Sequence, residues 1–388
     1  MNRNVRSSLL ALLLPALAVP AAACTVTKIV EEPGDVVPAG TGTTPPGVTP
    51  PGTEPNPLEG LATDWQAKAA GYLEPRSAKW LASPPPIANV KCAMSCHTTF
   101  SYMIARSALA PFATTASADD VRTRFEARVS EAVAGTAVSF YGKNADAKVK
   151  QSHATESVLN AAALALDDVG SGKPLSAMSK SALDQMWSQQ RTDGTWDWLE
   201  FGLEPWETRN DFGAAIAALV AGSVPADSSA AQAAGTTKLV GYVQKRLGSM
   251  VLHDKAMILY ANGKLTTLLQ PAQAEEIATE LVATQLADGG FSLGAWGQGE
   301  VATSVAKKSD GYATAVAVLA LCTGMPDGSK REDVKKALGW LAHNQDENGS
   351  WPGQSVNGTT AQAKGFMTDA ATSYASVAIS LCAPAAKQ

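Results

Sequence analysis

Two cysteines and a histidine stand close together in the first third of the chain. Three residues separate Cys92 from Cys96, and His97 follows Cys96 directly. Thiols can add to the vinyl groups of a haem and an adjacent imidazole can bind its iron, so this spacing predicts a covalent haem site. Two other outcomes stay open. One is a Cys92–Cys96 disulfide, which an oxidising compartment favours, and the other is a zinc site, for which the chain supplies few further ligands.

The run from Cys92 to His97 resembles the attachment motif of c-type cytochromes. The common spacing in that motif is Cys-x-x-Cys-His, and a variant with three residues between the cysteines is known. The resemblance implies one haem c, bound through Cys92 and Cys96, with His97 as the proximal iron ligand.

An internal repeat predicts the helices that must position this cluster. Three segments share a Gln, a Gly four residues later and an aromatic residue six residues later; they are Gln190 to Trp196, Gln285 to Phe291 and Gln345 to Trp351. The Asp-Gly or Asn-Gly step in each is a turn signal that ends a preceding helix. After each turn comes a second stretch, apolar all round, which predicts a buried helix.

These segments resemble the QW repeat of squalene cyclases and protein prenyltransferases, in which the Gln and the aromatic residue fasten a helix to its turn. We interpret them as structural residues. The anchors His97, Thr155, Asp211, Asp254, Asp310 and Asp369 mark six helical hairpins of similar length. The resemblance implies an all-α fold over residues 61–388, a six-hairpin α/α toroid with six inner helices around a central cavity.

This register adds a candidate for the second axial ligand of the haem. His97, His153 and His253 fall at predicted starts of inner helices, around one rim of the cavity, whereas His343 falls on an outer helix. The hypothesis is that His153 is the sixth iron ligand, with Met103 and Met94 as fallback ligands. His153 has a second interpretation, as a polar residue in front of a helix start.

The chemistry of the cyclase family itself is not expected here. Asp310 stands where class II cyclases have the first Asp of their DxDD acid box, but Tyr312 and Ala313 replace the later carboxylates. A tyrosine cannot act as the acid that protonates an alkene. Asp310 and Tyr312 are therefore candidate catalytic residues only for a divergent enzyme. The Asp-x-Cys zinc ligands of prenyltransferases are absent from the sequence.

Three further groups each have two interpretations. Acidic residues recur at predicted inner-helix starts (Glu156, Asp211, Asp254, Asp310 and Asp369), as a collar for a cation or polar ligand, or as helix caps. Cys322 and Cys382 end the fifth and sixth inner helices, as a disulfide or as two buried thiols. The aromatic loop with Trp196, Trp198, Phe201 and Trp206 either lines the cavity mouth or packs between hairpins.

The N-terminus indicates export. Residues 1–23 have the charged, apolar and small-residue regions of a signal peptide. Cys24 after three alanines resembles a bacterial lipobox, which implies a lipid anchor to a membrane; ordinary cleavage after Ala23 is the alternative. Residues 24–60 are rich in Pro, Gly and Thr and predict an extended tether. We expect a periplasmic or cell-surface location.

The net charge of the chain argues against one class of function, nucleic-acid binding. The 388 residues carry a formal net charge of −5, which argues against a nucleic-acid partner. The sequence predicts an exported, lipid-anchored toroid with one haem c, acting in electron transfer with a redox partner protein or in oxidation of an apolar small ligand in the cavity. The alternatives are a ligand-binding or scaffold toroid without haem, and a divergent cyclase-like or prenyltransferase-like enzyme.

Overall fold

A computed structural model describes residues 56–82, 95–113, 115–138, 146–297 and 299–383. The signal peptide, Cys24, most of the tether, Cys92 and Met94 lie outside these segments. Within them the regular elements are helices, and the one strand-like pairing is an isolated bridge between Leu203 and Glu207. No helix in the described segments is long and apolar enough to span a bilayer.

In the described segments, twelve long helices alternate between an outer and an inner layer. The outer helices are α1 (Trp65–Ala82), α3 (Thr115–Val133), α5 (Ala177–Ser188), α7 (Gln232–Arg246), α9 (Pro271–Val282) and α13 (Glu332–His343). The inner helices are α2 (Thr99–Leu109), α4 (Asp146–Gly170), α6 (Asn210–Ser223), α8 (Leu252–Asn262), α12 (Gly311–Gly324) and α14 (Ala361–Cys382). Two short helices, α10 (Leu293–Trp296) and α11 (Ala302–Val305), lie between α9 and α12.

The inner helices close into a ring. Each of them contacts the next one along the chain, and α14 returns to α2. The outer helices pack on the outside of this ring, each against an inner helix that is its neighbour in chain order. The predicted all-α fold, a six-hairpin α/α toroid, is confirmed.

The inner helices are apolar all round because they are covered on every side. In α12 the residues from Gly311 to Leu321 are all buried, with Ala, Val and Leu dominating the run. A helix with no polar face cannot stay at the surface of a water-soluble body. The helix begins at Asp310, whose side chain accepts a hydrogen bond from the amide of Ala313 and so satisfies one of the free amides of its first turn.

The three repeated glutamines fasten successive hairpins. Each donates from Nε2 to the carbonyl of its own turn glycine, across 2.9–3.0 Å. Each also donates to a carbonyl in the next outer helix: Gln190 to Gly235, Gln285 to Asp333, and Gln345 to Trp65. Because Trp65 begins α1, this last bond joins the end of the ring to its start. The structural role expected for these residues agrees with these contacts.

The turn glycines allow this close approach. Gly194 and Gly349 have φ of +96° and +90°, where residues with a side chain are strained. A Cβ at either position would also lie 2.1 Å from a backbone oxygen of the neighbouring outer helix, that of Lys238 or Lys68. Only glycine meets both conditions.

Two inner helices begin earlier than the repeat register suggests. Helix α4 starts at Asp146 and α14 at Ala361. The predicted places at helix starts are therefore wrong for His153, Thr155, Glu156 and Asp369, which are internal helix residues. The cause is local. The stretches before Thr155 and Asp369 are built largely of good helix formers and contain no proline.

The two cysteines near the C-terminal ends of the inner helices are bonded to each other. The disulfide Cys322–Cys382 joins α12 to the last residue of α14, with a Cα–Cα distance of 6.0 Å. Of the two interpretations of this pair, the disulfide is confirmed.

Candidate functional site

The imidazole of His97 is held by a hydrogen-bonded chain that starts on another helix. Its Nδ1 lies 2.8 Å from Oγ1 of Thr98, and that hydroxyl donates across 2.7 Å to Oδ2 of Asp369. A threonine hydroxyl has one hydrogen, which goes to the carboxylate, so the hydroxyl accepts the Nδ1–H of His97. The Nε2 atom is then left with its lone pair, which is the form of imidazole that binds a metal.

Asp369 is itself fixed by the outer helix α1. Arg76 contacts both carboxylate oxygens at 2.8 and 3.2 Å, and the hydroxyl of Tyr72 donates across 3.1 Å. The carboxylate is 1% exposed, so its charge is compensated inside the protein rather than by water. The result is a continuous polar path from α1 through α14 to the start of α2.

Aromatic side chains surround the ring of His97. Phe366 stacks on it with 3.9 Å between ring centroids, Trp80 meets it edge-on at 5.1 Å, and Trp206 lies at 6.2 Å. Burial by these groups, helped by the positive charge of Arg76, lowers the pKa of His97 to about 3. The imidazole is therefore neutral throughout the physiological pH range.

Cys96, which directly precedes His97, is also buried. It is 7% exposed, and a negative charge on it raises the pKa of Tyr374 on α14, after the larger effect of burial. Tyr374 in turn packs edge-on against Tyr312 at 5.1 Å.

A second polar chain lies next to this cluster. Trp206 donates from Nε1 to the hydroxyl of Tyr312 across 3.0 Å, and that hydroxyl lies 2.9 Å from Nε2 of His253. Nδ1 of His253 lies 2.9 Å from Asp254, whose other oxygen accepts from Arg209. All the donors and acceptors of this chain have partners, which indicates a structural core network. The hydrogen bond to Tyr312 also fixes the position of Trp206, whose ring packs against that of His97.

Comparison with known proteins adds little to this geometry. No protein-family profile and no curated protein sequence matches the chain. A solved structure of a wild-type glycosidase is similar, with a TM-score of 0.44 and 13% sequence identity. The match covers 83% of this chain and 99% of that one. The solved structure of a protein from Actinoplanes has a TM-score of 0.45 and 12% sequence identity, and the match covers 81% of this chain and 99% of that one. Nothing about the activity of those proteins transfers to this chain at such similarity.

The structure does not bring His153 to His97. His153 lines a groove of about 250 Å³ between α3, α4 and α5, together with Glu156, Asn160 and Gln185. The residues around His97 (Trp80, Thr98, Trp206 and Phe366) do not line this groove. The fallback ligand Met103 is fully buried in α2, and Met94 lies outside the described segments.

The two candidate catalytic residues for a divergent enzyme are built into the core. Asp310 is fully buried, and its two oxygens accept from the amides of Ala313 and Leu293. Burial raises its pKa to about 7 against the lowering effect of these bonds. Tyr312 is also fully buried, and its hydroxyl is hydrogen-bonded to Trp206 and His253. Both contribute to structure through these contacts.

The recurring carboxylates are each paired, so they do not form an open collar. Asp211 contacts Arg246 and Tyr242, Glu156 contacts Arg128, and Asp254 contacts Arg209. Of the aromatic loop, Trp196 and Trp198 are fully buried between hairpins, whereas Trp206 reaches the central cluster. Among the described residues, no group of three His, Cys, Asp or Glu side chains could hold a metal ion.

Sequence reasoning missed Thr98 and the pairing of Asp369 with α1. A usable signal exists: Tyr72 and Arg76 on α1 repeat the spacing of Tyr242 and Arg246 on α7. Each pair binds a buried Asp of an inner helix, Asp369 in the first case and Asp211 in the second.

Proposed function

We propose that this chain is an exported, lipid-anchored α/α toroid that carries one c-type haem on Cys92, Cys96 and His97 and transfers electrons. The observation that carries the proposal is the hydrogen-bonded chain from His97 through Thr98 to Asp369. Histidines that bind metals commonly donate their other ring N–H to a carboxylate or to a group tied to one, which fixes the tautomer and raises the basicity of the ligand.

The described part of the proposed donor set supports a haem. His97 is neutral and offers Nε2, and Cys96 is adjacent to it in the chain. Each thiol would add its S–H across a haem vinyl group: a carbon–sulfur bond forms, the hydrogen goes to the other vinyl carbon, and nothing leaves. A haem bound there supplies a reversible one-electron iron couple.

The protein's own residues set the surroundings of that couple. Thr98 and Asp369 orient the imidazole, and Arg76 neutralises the carboxylate behind it. Phe366, Trp80 and Trp206 pack around the ring and leave it only partly exposed. His153 is left out of the proposal, because it lies in a different groove.

Export and anchoring are part of the same proposal. Haem c is attached outside the cytoplasm, and the Cys322–Cys382 disulfide is compatible with an oxidising compartment. Cys24 would carry the lipid, and the Pro-rich segment after it would hold the toroid away from the membrane. A Cys24→Ala variant should move from the membrane fraction to the soluble fraction while keeping its fold.

The decisive experiment is haem staining of protein exported by a host with c-type maturation machinery. We expect a Soret band that survives acid–acetone extraction, and a peptide spanning Cys92 to His97 that carries the mass of one haem. The double variant Cys92→Ser/Cys96→Ser should lose both signals. As a matched control, Cys322→Ser/Cys382→Ser should keep them.

Two results would overturn the proposal. One is wild-type protein without covalent haem in that host, and the other is a Cys92–Cys96 disulfide in the peptide. Either result leaves a ligand-binding or scaffold toroid without haem as the function.

A further inference from the structure

A cavity of about 500 Å³ opens at the end of the ring opposite the start of the inner helices. It is formed by the last turns of α2, α4, α6 and α8 and by residues in the later halves of α12 and α14, so every inner helix contributes to it. We call it the C-terminal cavity. Its volume lies within the range of about 300–1,000 Å³ that is usual for small-molecule sites.

The wall of the C-terminal cavity is mainly aliphatic, with Ser107, Ser223 and Ser380 also lining it, and its charge has one sign. Aliphatic residues from five of the helices line it: Ile104, Leu166, Leu219, Leu319 and Val377. Lys264, which follows α8, is the charged residue of the lining, and no carboxylate of the described segments accompanies it there. An apolar wall with one cationic side chain suits a ligand that has an apolar chain and an anionic group.

Two buried tyrosines aim unpartnered hydroxyls into this space. Tyr260 is 7% exposed and Tyr374 is 1% exposed, and both line the cavity. No residue of the described segments forms a hydrogen bond with either hydroxyl. Burial raises the pKa of Tyr260 to about 12, so the phenol stays protonated and can donate. Neither hydroxyl is fully enclosed by protein, so each faces the cavity and can donate to a ligand oxygen there.

From these three observations we infer that the C-terminal cavity binds a single-chain amphiphile with a carboxylate head. The aliphatic side chains cover the ligand's chain, and the tyrosine hydroxyls together with Lys264 take the carboxylate. A cationic head would meet Lys264 with the same charge, and a ligand without oxygen would leave both phenols unpaired. The inference does not rest on the proposed haem, because Cys96 and His97 are not among the residues that line the cavity.

The test is calorimetric titration of the exported protein with three probes of equal chain length: dodecanoate, dodecanol and dodecyltrimethylammonium. We expect dodecanoate to bind with 1:1 stoichiometry and about ten-fold more tightly than dodecanol, because it accepts charge-assisted hydrogen bonds. The ammonium probe should be the weakest. All titrations are made below the critical micelle concentration of each probe.

Variants locate the binding. Tyr260→Phe should weaken dodecanoate about ten-fold. Lys264→Gln should weaken it about two- to five-fold, since Lys264 is exposed. Ile104→Trp should block the cavity. Lys330→Gln, which replaces an exposed lysine elsewhere, should not change the affinity.

Three results would each overturn the inference: equal affinity for dodecanoate and dodecanol, no binding of dodecanoate, or wild-type affinity in Tyr260→Phe. Unchanged thermal unfolding of Tyr260→Phe keeps its result interpretable.

Discussion

The side-chain amide of Gln345 donates to the backbone carbonyl of Trp65 across 3.0 Å and thereby joins the last hairpin of the chain to the first. The two residues are 280 positions apart in sequence. The same atom of Gln345 also donates to the carbonyl of Gly349. One side chain thus ends its own helix and closes the ring.

Replacing Gln345 with Ala should lower the stability of the whole toroid. The substitution removes two hydrogen bonds to part-buried carbonyls, which costs about 1–3 kcal/mol of unfolding free energy in total. Urea unfolding followed by circular dichroism measures this loss. Ser228→Ala, which removes an exposed hydroxyl, serves as the control. If the two variants unfold at the same urea concentration, Gln345 does not fasten the ring.

Asp310 should make the stability depend on pH. Its pKa is raised from 3.8 to about 7 because it is buried, so the folded state keeps a proton that the unfolded state has lost. The contribution of Asp310 is therefore complete below about pH 4 and falls as the pH rises towards 7. The loss amounts to a few kcal/mol at most, at about 1.4 kcal/mol per pKa unit.

His97 acts in the opposite direction, and an Asp310→Asn variant separates the two effects. The pKa of His97 is lowered from 6.5 to about 3, so the unfolded state binds the proton and stability rises as the pH increases between these values. With Asp310 replaced, unfolding free energies measured without haem from pH 3 to 8 should show a steeper rise. A variant curve parallel to that of the wild type would show that Asp310 does not titrate in this range.

Much of the fold could be predicted from the sequence because its signals are local. Each Gln-to-aromatic repeat, with its turn glycine, lies within seven residues. The apolar run after Asp310 is long enough to predict a buried helix by itself. Three copies of the Gln-to-aromatic repeat, together with six anchor residues at similar spacing, predict six hairpins. The disulfide between Cys322 and Cys382 could be given only as one of two outcomes, because its formation depends on how α12 and α14 pack.

The candidate site could be predicted only in part, because its partners come from distant segments. Thr98 and Asp369 are 271 positions apart and meet only when α14 closes against α2. No local pattern sets that contact. The predicted place of His153 is wrong for a different reason: the helix-forming residues before Thr155 extend α4 back to Asp146, so the repeat register puts the helix start too late.

Removing the disulfide should destabilise the toroid without changing its fold. Cys322 and Cys382 close a loop of 60 residues, and chain-entropy estimates for such a loop give about 4 kcal/mol. The double variant Cys322→Ser/Cys382→Ser should therefore unfold at a lower denaturant concentration with an unchanged helical spectrum. Wild-type protein treated with a thiol reductant should show the same shift. An unfolding midpoint equal to that of the oxidised wild type would contradict the prediction.

Thr98→Val should report on the imidazole of His97 directly. Valine has nearly the shape of threonine but cannot accept the Nδ1–H, so a buried donor loses its partner at a cost of about 1–3 kcal/mol. Loss of that bond also makes the imidazole a weaker donor to iron, so the midpoint potential of the haem-loaded protein should rise. The measurements are thermal unfolding and a spectroscopic redox titration. Thr237→Val, which removes an exposed hydroxyl that donates to Ala233, should leave both unchanged. A potential equal to that of the wild type in Thr98→Val would mean that the Thr98–Asp369 chain does not act on the iron ligand, whatever its effect on stability.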